Sequence, residues 1–355
     1  MLMIKRIIPG ILILGVLNSC TPEDPGNENN KGYAHGAYIT NEGAFGNSNG
    51  SLSFLPEDSV GVINHLFEQV NGRPLGDVVQ SFSVAGNRGF IVVNNSQKVE
   101  VIDLESFESI GVIAGLEYPR YFLAVNENKG YLTDGNFAGR VLVVDLNTLQ
   151  IRDTIAVGAG PEHLILKGDR VIVANSGGWG NDSTLTLIDA EKDAVIDTWN
   201  CGYNPTDLVV DRDDNLWVLC KGKVTWEGWN IAEETESEIC IMDSDKGEIR
   251  KRFTIGSVGD FFWPMTLGVS DDGRTLYCLE ASGIYSLNYK ADGLPENPLV
   301  PGYFYGFGIE PSTDRVFALA APSFTAAGWL IRYNSDGSLV DSLSVGIGPN
   351  RVAFN

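Results

Sequence analysis

One recurring phrase restricts the fold of this chain more than any other feature. An apolar pair followed by Asp or Asn recurs at intervals of 42 to 54 residues, ending at Asp103, Asp145, Asp189, Asp243, Asn288 and Asn334. A second phrase, a proline followed by an apolar strand, begins at Pro119, Pro161, Pro205, Pro264 and Pro349. Two independent markers with a similar period indicate an array of equivalent structural units.

Each unit is predicted to contain four short strands joined by turns. The stretch "VSDDGRTLYCL", from Val269 to Leu279, is a clear example, because Asp272 and Gly273 suit a tight hairpin turn. No unit shows an amphipathic helix pattern, and the 41 glycines fit a chain with many turns. Four strands in about 40–50 residues are typical of a β-propeller blade.

The number of blades follows from the innermost strands. Six complete units have innermost strands that begin near Val78, Tyr121, His163, Asp207, Thr266 and Gly306. The N-terminal part adds three strands, "GAYITN", "GSLSFLP" and "GVINHLF", without an innermost strand, and the C-terminal "NRVAFN" is an innermost strand without partners. The sequence therefore predicts an all-β, seven-bladed propeller over residues 33–355, closed by the C-terminal strand in the first blade. A pair of β-sandwiches is the rival fold, but it does not explain the complementary ends.

The N-terminus has the features of a targeting segment. Lys5 and Arg6 precede the apolar run "IIPGILILGVL", and "LNSC" ends at Cys20. This pattern predicts a lipoprotein signal peptide at residues 1–19 and a lipid anchor on Cys20; the alternative is an ordinary cysteine after a secretory signal. Residues 20–32 form an acidic tether that resembles the surface-export signal of Bacteroidetes lipoproteins, with a periplasmic linker as the alternative.

Charge and cysteine content exclude some functions. The net charge of −21 argues against nucleic-acid binding, which needs a basic surface. Cys201, Cys220, Cys240 and Cys278 lack metal-binding spacing. A disulfide between Cys220 and Cys240, on adjacent predicted strands, is geometrically conceivable, but four isolated buried thiols are the preferred interpretation.

Strand direction places the unusual loops together. With the strands of a blade labelled a to d outward from the channel, the b–c and d–a loops lie on one face, called here the rim. The 54-residue interval reflects an insertion, "KVTWEGWNIAEETE", in the b–c loop of blade five. Rim loops carry the aromatic residues Phe45, Phe137, Trp179, Trp226, Trp229, Trp263, Tyr303, Tyr305 and Phe324. Aromatic and amide groups together are typical of a ligand site, although Trp263 and Tyr303 equally suit packing between blades.

Catalytic motifs are absent from the sequence. It has three histidines, His35, His65 and His163, and no nucleophile elbow or zinc-protease motif. The acids Glu42, Glu162 and Asp207, with Asn204, leave open a propeller lyase or lactonase with a metal in its channel. We nevertheless expect a binding protein with no catalytic residues, no resident metal and no cofactor.

The blade pattern resembles the YVTN/YncE-like propellers. The stretches "YITNEGAFG", "NGRPLGDVVQSFSV", "YPRYF" and "KGYLTD" are similar more narrowly to Bacteroidetes surface lipoproteins of the BtuG cobalamin-binding kind. This resemblance implies capture of cobalamin or another corrinoid at the cell surface and delivery to a TonB-dependent outer-membrane transporter, with the membrane contacted only through the lipid anchor. It gives no residue pattern for the blade-five insertion.

A corrinoid is a broad ring fringed with amides, which suits a rim that offers both aromatic faces and polar groups. The expected polar contacts are Asn41, Glu42, Asn94, Arg120 and Asp134. The remaining alternative is a glycan-binding or protein-binding surface lipoprotein, because tryptophan faces also stack on sugars.

Overall fold

Seven antiparallel blade sheets and one separate two-stranded hairpin form the fold in the computed structural model, which describes residues 32–57, 59–259 and 263–355. The expected signal peptide at residues 1–19, the lipid anchor on Cys20 and the tether up to residue 31 lie outside these residues. The innermost strands contact one another in a closed cycle around a central channel. The predicted all-β, seven-bladed propeller is therefore confirmed.

The strands follow the repeat. The first two blades contain β1 Gly36–Asn41, β2 Ser51–Pro56, β3 Val79–Ala85, β4 Arg88–Val93, β5 Lys98–Asp103 and β6 Ser109–Ile113. Blades three and four contain β7 Phe122–Asn126, β8 Lys129–Asp134, β9 Arg140–Asp145, β10 Gln150–Ala156, β11 Pro161–Lys167, β12 Arg170–Asn175, β13 Thr184–Asp189 and β14 Ala194–Asn200. Blade five contains β15 Pro205–Val210, β16 Asn215–Cys220, β17 Val224–Glu227, β18 Asn230–Glu234, β19 Glu238–Asp243 and β20 Ile249–Thr254. Blades six and seven contain β21 Thr266–Val269, β22 Thr275–Glu280, β23 Gly283–Asn288, β24 Val300–Pro301, β25 Gly306–Ile309, β26 Val316–Ala320, β27 Ala327–Tyr333 and β28 Leu339–Ile347, and β29 Pro349–Phe354 ends the chain.

The C-terminal strand closes the ring as predicted. Strand β29 pairs antiparallel with β1, with Ile39 opposite Val352 and Ala37 opposite Phe354. Gly36 and Asn355 exchange backbone hydrogen bonds of 2.9 and 3.1 Å at the end of this ladder. The backbone hydrogen-bonding groups of β29 and of the inner edge of β1 therefore pair with each other, so neither strand has an unpaired edge at this point.

The third predicted strand of the first blade, "GVINHLF", is wrong. Only Ile63 makes a bridge to β2, at Phe54, and a helix, α1 (Leu66–Asn71), follows. Leu66 and Phe67 are buried in the core between the first two blades, with Val70 packed against them. The spacing of these apolar residues, i and i+4, buries one helical face at the place where an outer strand was expected.

The recurring Asp has a structural explanation. In blades two to five the Asp at the end of strand c accepts hydrogen bonds from the backbone N–H groups two and three residues later, at 2.9–3.1 Å. These bonds form a side-chain-capped turn between strands c and d, for which Asp and Asn are suited. The backbone donors also lower the pKa of Asp103 and Asp145.

The core lies between neighbouring blades. Each of seven clusters of buried side chains spans adjoining sheets, and their largest fully buried members include Trp217, Tyr38 and Tyr131. Trp217 also donates a 2.9 Å hydrogen bond from Nε1 to Asp211 Oδ2, which satisfies its only polar atom. In the described residues, no helix is long and apolar enough to cross a bilayer.

The cysteines carry no disulfide but are not all isolated. The four cysteines of the described residues are free thiols, so Cys220 and Cys240 are not bridged. Cys220 and Cys240 belong to one core cluster, and Cys201 packs against it. Cys201 is half-buried. The preferred interpretation, thiols without a disulfide, is therefore confirmed, although three of them share one cluster and Cys201 is only half-buried.

Candidate functional site

The rim is a set of loops that hydrogen-bond one another. The backbone N–H of Trp179 donates to Asn136 Oδ1 at 2.8 Å, which joins the b–c loops of blades three and four. Asn181 then joins blade four to the insertion, because its Nδ2 donates to Val224 O at 2.7 Å and its Oδ1 accepts from Val224 N at 3.0 Å. Asn204 Nδ2 also donates a hydrogen bond to Asn181 Oδ1 at 2.9 Å. These cross-links hold the loops of three blades in one arrangement.

The predicted insertion is a β-hairpin on this face. Strands β17 and β18 pair antiparallel and are joined through Gly228, which has a φ of 64° that favours glycine. Trp229, beside this glycine, is 97 % exposed, and Trp226 is half exposed. The hairpin thus presents two indole rings on the rim, next to the Asn181 cross-link.

Most of the other predicted aromatic residues are exposed, and two are partly buried. Phe45, Phe137, Trp179, Tyr303 and Phe324 are exposed. Tyr305 is half-buried and its ring lies 5.1 Å from that of Phe324. Trp263, which the sequence left open between packing and binding, packs edge-on against Tyr303 at 4.7 Å and also lines the channel mouth.

Three predicted polar contacts are buried inside the blades. Asn41 and Asp134 have no exposed surface, and Asn94 is nearly as buried. Asn41 Nδ2 donates to Ser53 Oγ at 3.0 Å, and Asn94 Nδ2 donates to Pro119 O at 2.9 Å. These side chains hold neighbouring segments together, so we leave them out of the proposed ligand surface.

Asp134 has the same structural role in the third blade. It accepts the backbone N–H groups of Glu117 and Tyr118 and binds Arg140 Nη2 at 2.7 Å. Each of four buried residues ends strand b of its blade: Asn41, Asp134, Asn175 and Glu280. The first and third bond a side chain of the neighbouring strand c, and the other two accept backbone N–H groups of loops. Because a polar residue recurs at this position in four blades, we assign it a structural role where strand b leads into the b–c loop, and not a role in binding one ligand.

A second repeat position forms the channel mouth. A cavity of about 330 Å³ lies at the rim end of the channel. Every inner strand contributes at least one lining residue at or just before its start, and seven of these are Gln80, Arg120, Glu162, Thr206, Met265, Tyr305 and Asn350. The sequence analysis named only Arg120, Glu162 and Tyr305 from this ring. We call these seven residues the mouth ring.

Backbone bulges aim the mouth ring into the cavity. The ladder between strands a and b skips a residue at Gln80, Thr206 and Asn350, and it skips Glu162 with its neighbour. In each of these four blades the residue before the inner strand has a positive φ: Val78, Gly160, Asn204 or Gly348. A left-handed residue followed by a bulge redirects the next side chain, here toward the mouth.

Arg120 and Glu162 form an ion pair in the mouth. Arg120 Nε lies 2.9 Å from Glu162 Oε1, and Arg120 Nη1 donates to Gln80 Oε1 at 2.6 Å. Burial alone would lower the pKa of Arg120, but Glu162 outweighs burial and raises it. These contacts link the inner strands of blades two, three and four across the channel.

Glu42 occupies the other side of the mouth. Its Oε2 accepts from Tyr305 hydroxyl at 3.1 Å, and its Oε1 accepts from Asn350 Nδ2 at 3.2 Å. Burial raises the pKa of Glu42, and these two donors together with Arg120 and Arg351 only partly oppose it. Burial and the nearby Glu42 carboxylate raise the pKa of Tyr305.

Asp207 is the centre of a deeper network. Its Oδ1 lies 2.6 Å from His163 Nδ1, and its Oδ2 accepts from Leu267 N at 3.0 Å and from the Thr266 hydroxyl. Burial would raise the pKa of Asp207, but His163 and the other donors hold it well below its usual range. The carboxylate thus joins the inner strands of blades four, five and six.

Lys221 completes the mouth. It follows the last residue of β16 and lines the cavity together with Ser176, Gly178 and Asn204. Burial lowers its pKa to about 8. In the residues that the structure describes, no group of three or more His, Cys, Asp or Glu side chains is arranged to hold a metal ion.

A family model described as "Domain of unknown function (DUF5074)" matches residues 35–347. The chain belongs to this family. In this DUF5074 protein the matched region extends from before β1 to the end of β28, and so covers nearly the whole propeller. A comparison with curated proteins finds no match.

Solved structures share the fold of this DUF5074 protein. A protein of unknown function from Desulfotomaculum acetoxidans has a TM-score of 0.65 and 13% identity, and the match covers 90% of this chain and 98% of the other. A quinonprotein alcohol dehydrogenase-like protein from Bacteroides thetaiotaomicron has a TM-score of 0.64, 12% identity, and coverages of 91% and 79%. Hydrazine synthase from Kuenenia stuttgartiensis has a TM-score of 0.54, 15% identity, and coverages of 74% and 85%. At such low identity the likeness concerns the fold alone.

Proposed function

We propose that this DUF5074 protein is a non-enzymatic surface lipoprotein that captures cobalamin or another corrinoid on its rim and passes it to a TonB-dependent transporter. The observation that carries the proposal is the arrangement of the rim. Exposed aromatic side chains stand on loops that hydrogen-bond one another, around a mouth lined by polar groups. The narrower sequence resemblance supplies the ligand class.

The rim suits a large, flat ligand. A corrinoid is far larger than the mouth cavity of about 330 Å³, so it would lie across the rim with one substituent in the mouth. Trp179, Trp226 and Trp229 provide rigid apolar area at a low cost in conformational entropy. Gln80, Thr206 and Asn350 provide amide and hydroxyl groups for the amide fringe of the ring.

Preorganisation favours tight capture without chemistry. Asn136, Asn181 and Asn204 fix the loops of blades three to five before any ligand arrives. Loops that are already ordered lose less conformational entropy on binding, so more of the contact energy remains as affinity. This feature favours a binder over a protein whose loops must rearrange.

The lipid anchor and the transporter partner are proposed from the sequence alone. Cys20 after an apolar run predicts attachment to the outer membrane, and the acidic segment behind it predicts display at the cell surface. Labelling with radioactive palmitate, with and without a Cys20→Ala substitution, tests the anchor directly.

Calorimetric titration of the purified protein with cyanocobalamin tests capture. We expect the heat of binding to saturate as cyanocobalamin is added to the wild type. A W226A/W229A double variant should bind at least about thirtyfold more weakly, because replacing one buried interface tryptophan by alanine typically costs about 2 kcal/mol or more of binding free energy. The matched control removes two exposed apolar side chains from outer strands, Ile110→Ala and Ile196→Ala, and should bind like the wild type.

Two other ligand classes are outcomes of the same experiment. Exposed tryptophans also stack on sugars, so oligosaccharides are titrated in parallel; binding of a glycan but not of cyanocobalamin would replace the corrinoid with a sugar. A panel of lactones tests the channel acids. Turnover that is lost in a Glu162→Gln variant would replace the binder with an enzyme.

A further inference from the structure

Arg351 lies in the channel with its hydrogen-bonding capacity unused. It lines both the mouth cavity and a second, deeper cavity of about 250 Å³. No residue of the described ranges accepts a hydrogen bond from its guanidinium. Its nearest carboxylate oxygen, Asp207 Oδ2, is 3.9 Å from Nη1, and its charge sits 4.8 Å over the ring of Tyr121.

Asp207 accepts no hydrogen bond from Arg351, because its own oxygens are already occupied. Oδ1 receives His163 Nδ1 and Leu208 N, at 2.6 and 3.0 Å, while Oδ2 receives Leu267 N and the Thr266 hydroxyl. The carboxylate supplies Arg351 with a countercharge but not with a hydrogen-bond acceptor. A guanidinium has five N–H donors in a planar fork, so this is a large unused capacity.

Neighbouring groups extend the set of unused donors. Arg120 uses Nε and Nη1 for Glu162 and Gln80, and its Nη2 has no acceptor among the described residues. The Tyr121 hydroxyl likewise has no hydrogen-bond partner in the described part of the chain, and Tyr121 lines both cavities. Arginine and tyrosine donors around one space are the groups that bind carboxylates and phosphates.

The electrostatic balance permits an anion here although the chain carries a net charge of −21. Arg120, Lys221 and Arg351 face the mouth together with the acids Glu42 and Glu162, and Asp207 lies below. Glu162 is paired with Arg120, while Glu42 is held by Tyr305 and Asn350. Each carboxylate thus has its own partners, and the guanidinium of Arg351 is left to receive a further acceptor.

We propose that the channel contains an oxoanion site, in which Arg351, assisted by Arg120 and Tyr121, binds a carboxylate or phosphate group. Two oxygens of a carboxylate or phosphate group accept two parallel N–H bonds from a guanidinium, a geometry that chloride cannot match. The inference does not depend on the corrinoid. The site takes a small oxoanion either free or as part of a larger ligand that covers the rim.

Nuclear magnetic resonance of the purified protein with ¹⁵N-labelled arginine tests the site. Sodium phosphate and sodium acetate are titrated separately, with sodium chloride added to hold ionic strength constant. The Nε–Hε signal of Arg351, identified by its loss in an Arg351→Lys variant, should shift and saturate with at least one oxoanion. The signal of Arg250, an exposed arginine paired with Asp243, should not move. An Arg351 signal that responds to neither anion overturns the proposal.

Thermal melting provides the second measurement. A ligand that binds only the folded state raises the melting temperature. Phosphate or acetate should raise that of the wild type and of Arg250→Gln, and Arg351→Lys should need at least about tenfold more anion, because lysine lacks the fork. Equal responses in wild type and Arg351→Lys would contradict the proposal. Anion binding without any binding of cyanocobalamin would support this site while removing the proposed function.

Discussion

Asp207 provides the sharpest test of how the channel holds the blades together. Its side chain is 1 % exposed and accepts hydrogen bonds from blades four and six as well as from its own strand. Replacing it by alanine leaves the Thr266 hydroxyl and the Leu267 N–H buried without an acceptor. Each unsatisfied buried donor costs about 1–3 kcal/mol. His163 is partly exposed and turns to water at a smaller cost, so we expect Asp207→Ala to lower the free energy of unfolding by about 3–5 kcal/mol.

Urea unfolding at pH 7, followed by tryptophan fluorescence, measures this loss. Asp207→Asn keeps one oxygen acceptor and should cost roughly half as much. The control is Asp153→Ala, an exposed aspartate that should change stability by no more than about 0.5 kcal/mol. If Asp207→Ala unfolds within about 1 kcal/mol of the wild type, the carboxylate does not join the blades and the reasoning is refuted.

The pH dependence follows from the same carboxylate. The folded-state pKa of Asp207 lies below its unfolded value, so its contribution is present above about pH 4 and is lost as pH falls. Acid unfolding of the wild type should therefore be steeper below about pH 4 than that of Asp207→Asn. Parallel pH profiles for the two proteins would contradict the depressed pKa.

Three further changes test other parts of the account. Burial raises the pKa of Glu42, so its protonated form stabilises the fold at low pH and this stabilisation is lost as the pH rises. Glutamine cannot ionise, so the melting temperature of Glu42→Gln minus that of the wild type should increase between about pH 4 and pH 8. Val78 is a β-branched residue at φ 58°, so Val78→Asn should raise the free energy of unfolding by about 1 kcal/mol in urea. A Cβ on Gly306 would lie 1.9 Å from Asn350 O, so Gly306→Ala should lower that free energy by about 3 kcal/mol.

The sequence was sufficient for the ring because its repeat markers are structural groups. The recurring Asp caps the turn after strand c, and the recurring proline begins strand a or lies two or three residues before it. Their spacing therefore counts blades directly, and the incomplete ends identify the closing strand. The helix Leu66–Asn71 was missed because six residues are too few for a helical period to stand out.

The candidate site was predicted only in part, because exposure and backbone bulges are tertiary features. The sequence alone does not show whether a residue beside a glycine-rich loop is exposed, as Trp179 is, or buried, as Asn41 and Asp134 are. One signal was present in the sequence, since "GP" or "NP" marks three of the four bulged inner strands, before Pro161, Pro205 and Pro349. Comparing the residue after each proline would have identified most of the mouth ring.

Arg351 illustrates what the sequence does not contain. It follows Asn350 in the last inner strand and looks like any arginine near a C-terminus. Its position in the channel depends on β29 closing the ring, which brings it beside Tyr121 and Asp207 from blades three and five. Its lack of acceptors becomes visible only when the bonds of Asp207 are counted.

Covalent footprinting with and without cyanocobalamin tests the central claim, that the rim is the face that captures ligand. Hydroxyl radicals oxidise exposed aromatic and aliphatic side chains, and mass spectrometry locates each modification. We expect the corrinoid to protect Trp179, Trp226 and Trp229, while Ile110 and Ile196 on outer strands are oxidised equally in both samples. Unchanged oxidation of all three tryptophans at saturating cyanocobalamin, or protection confined to the outer strands, would contradict the account.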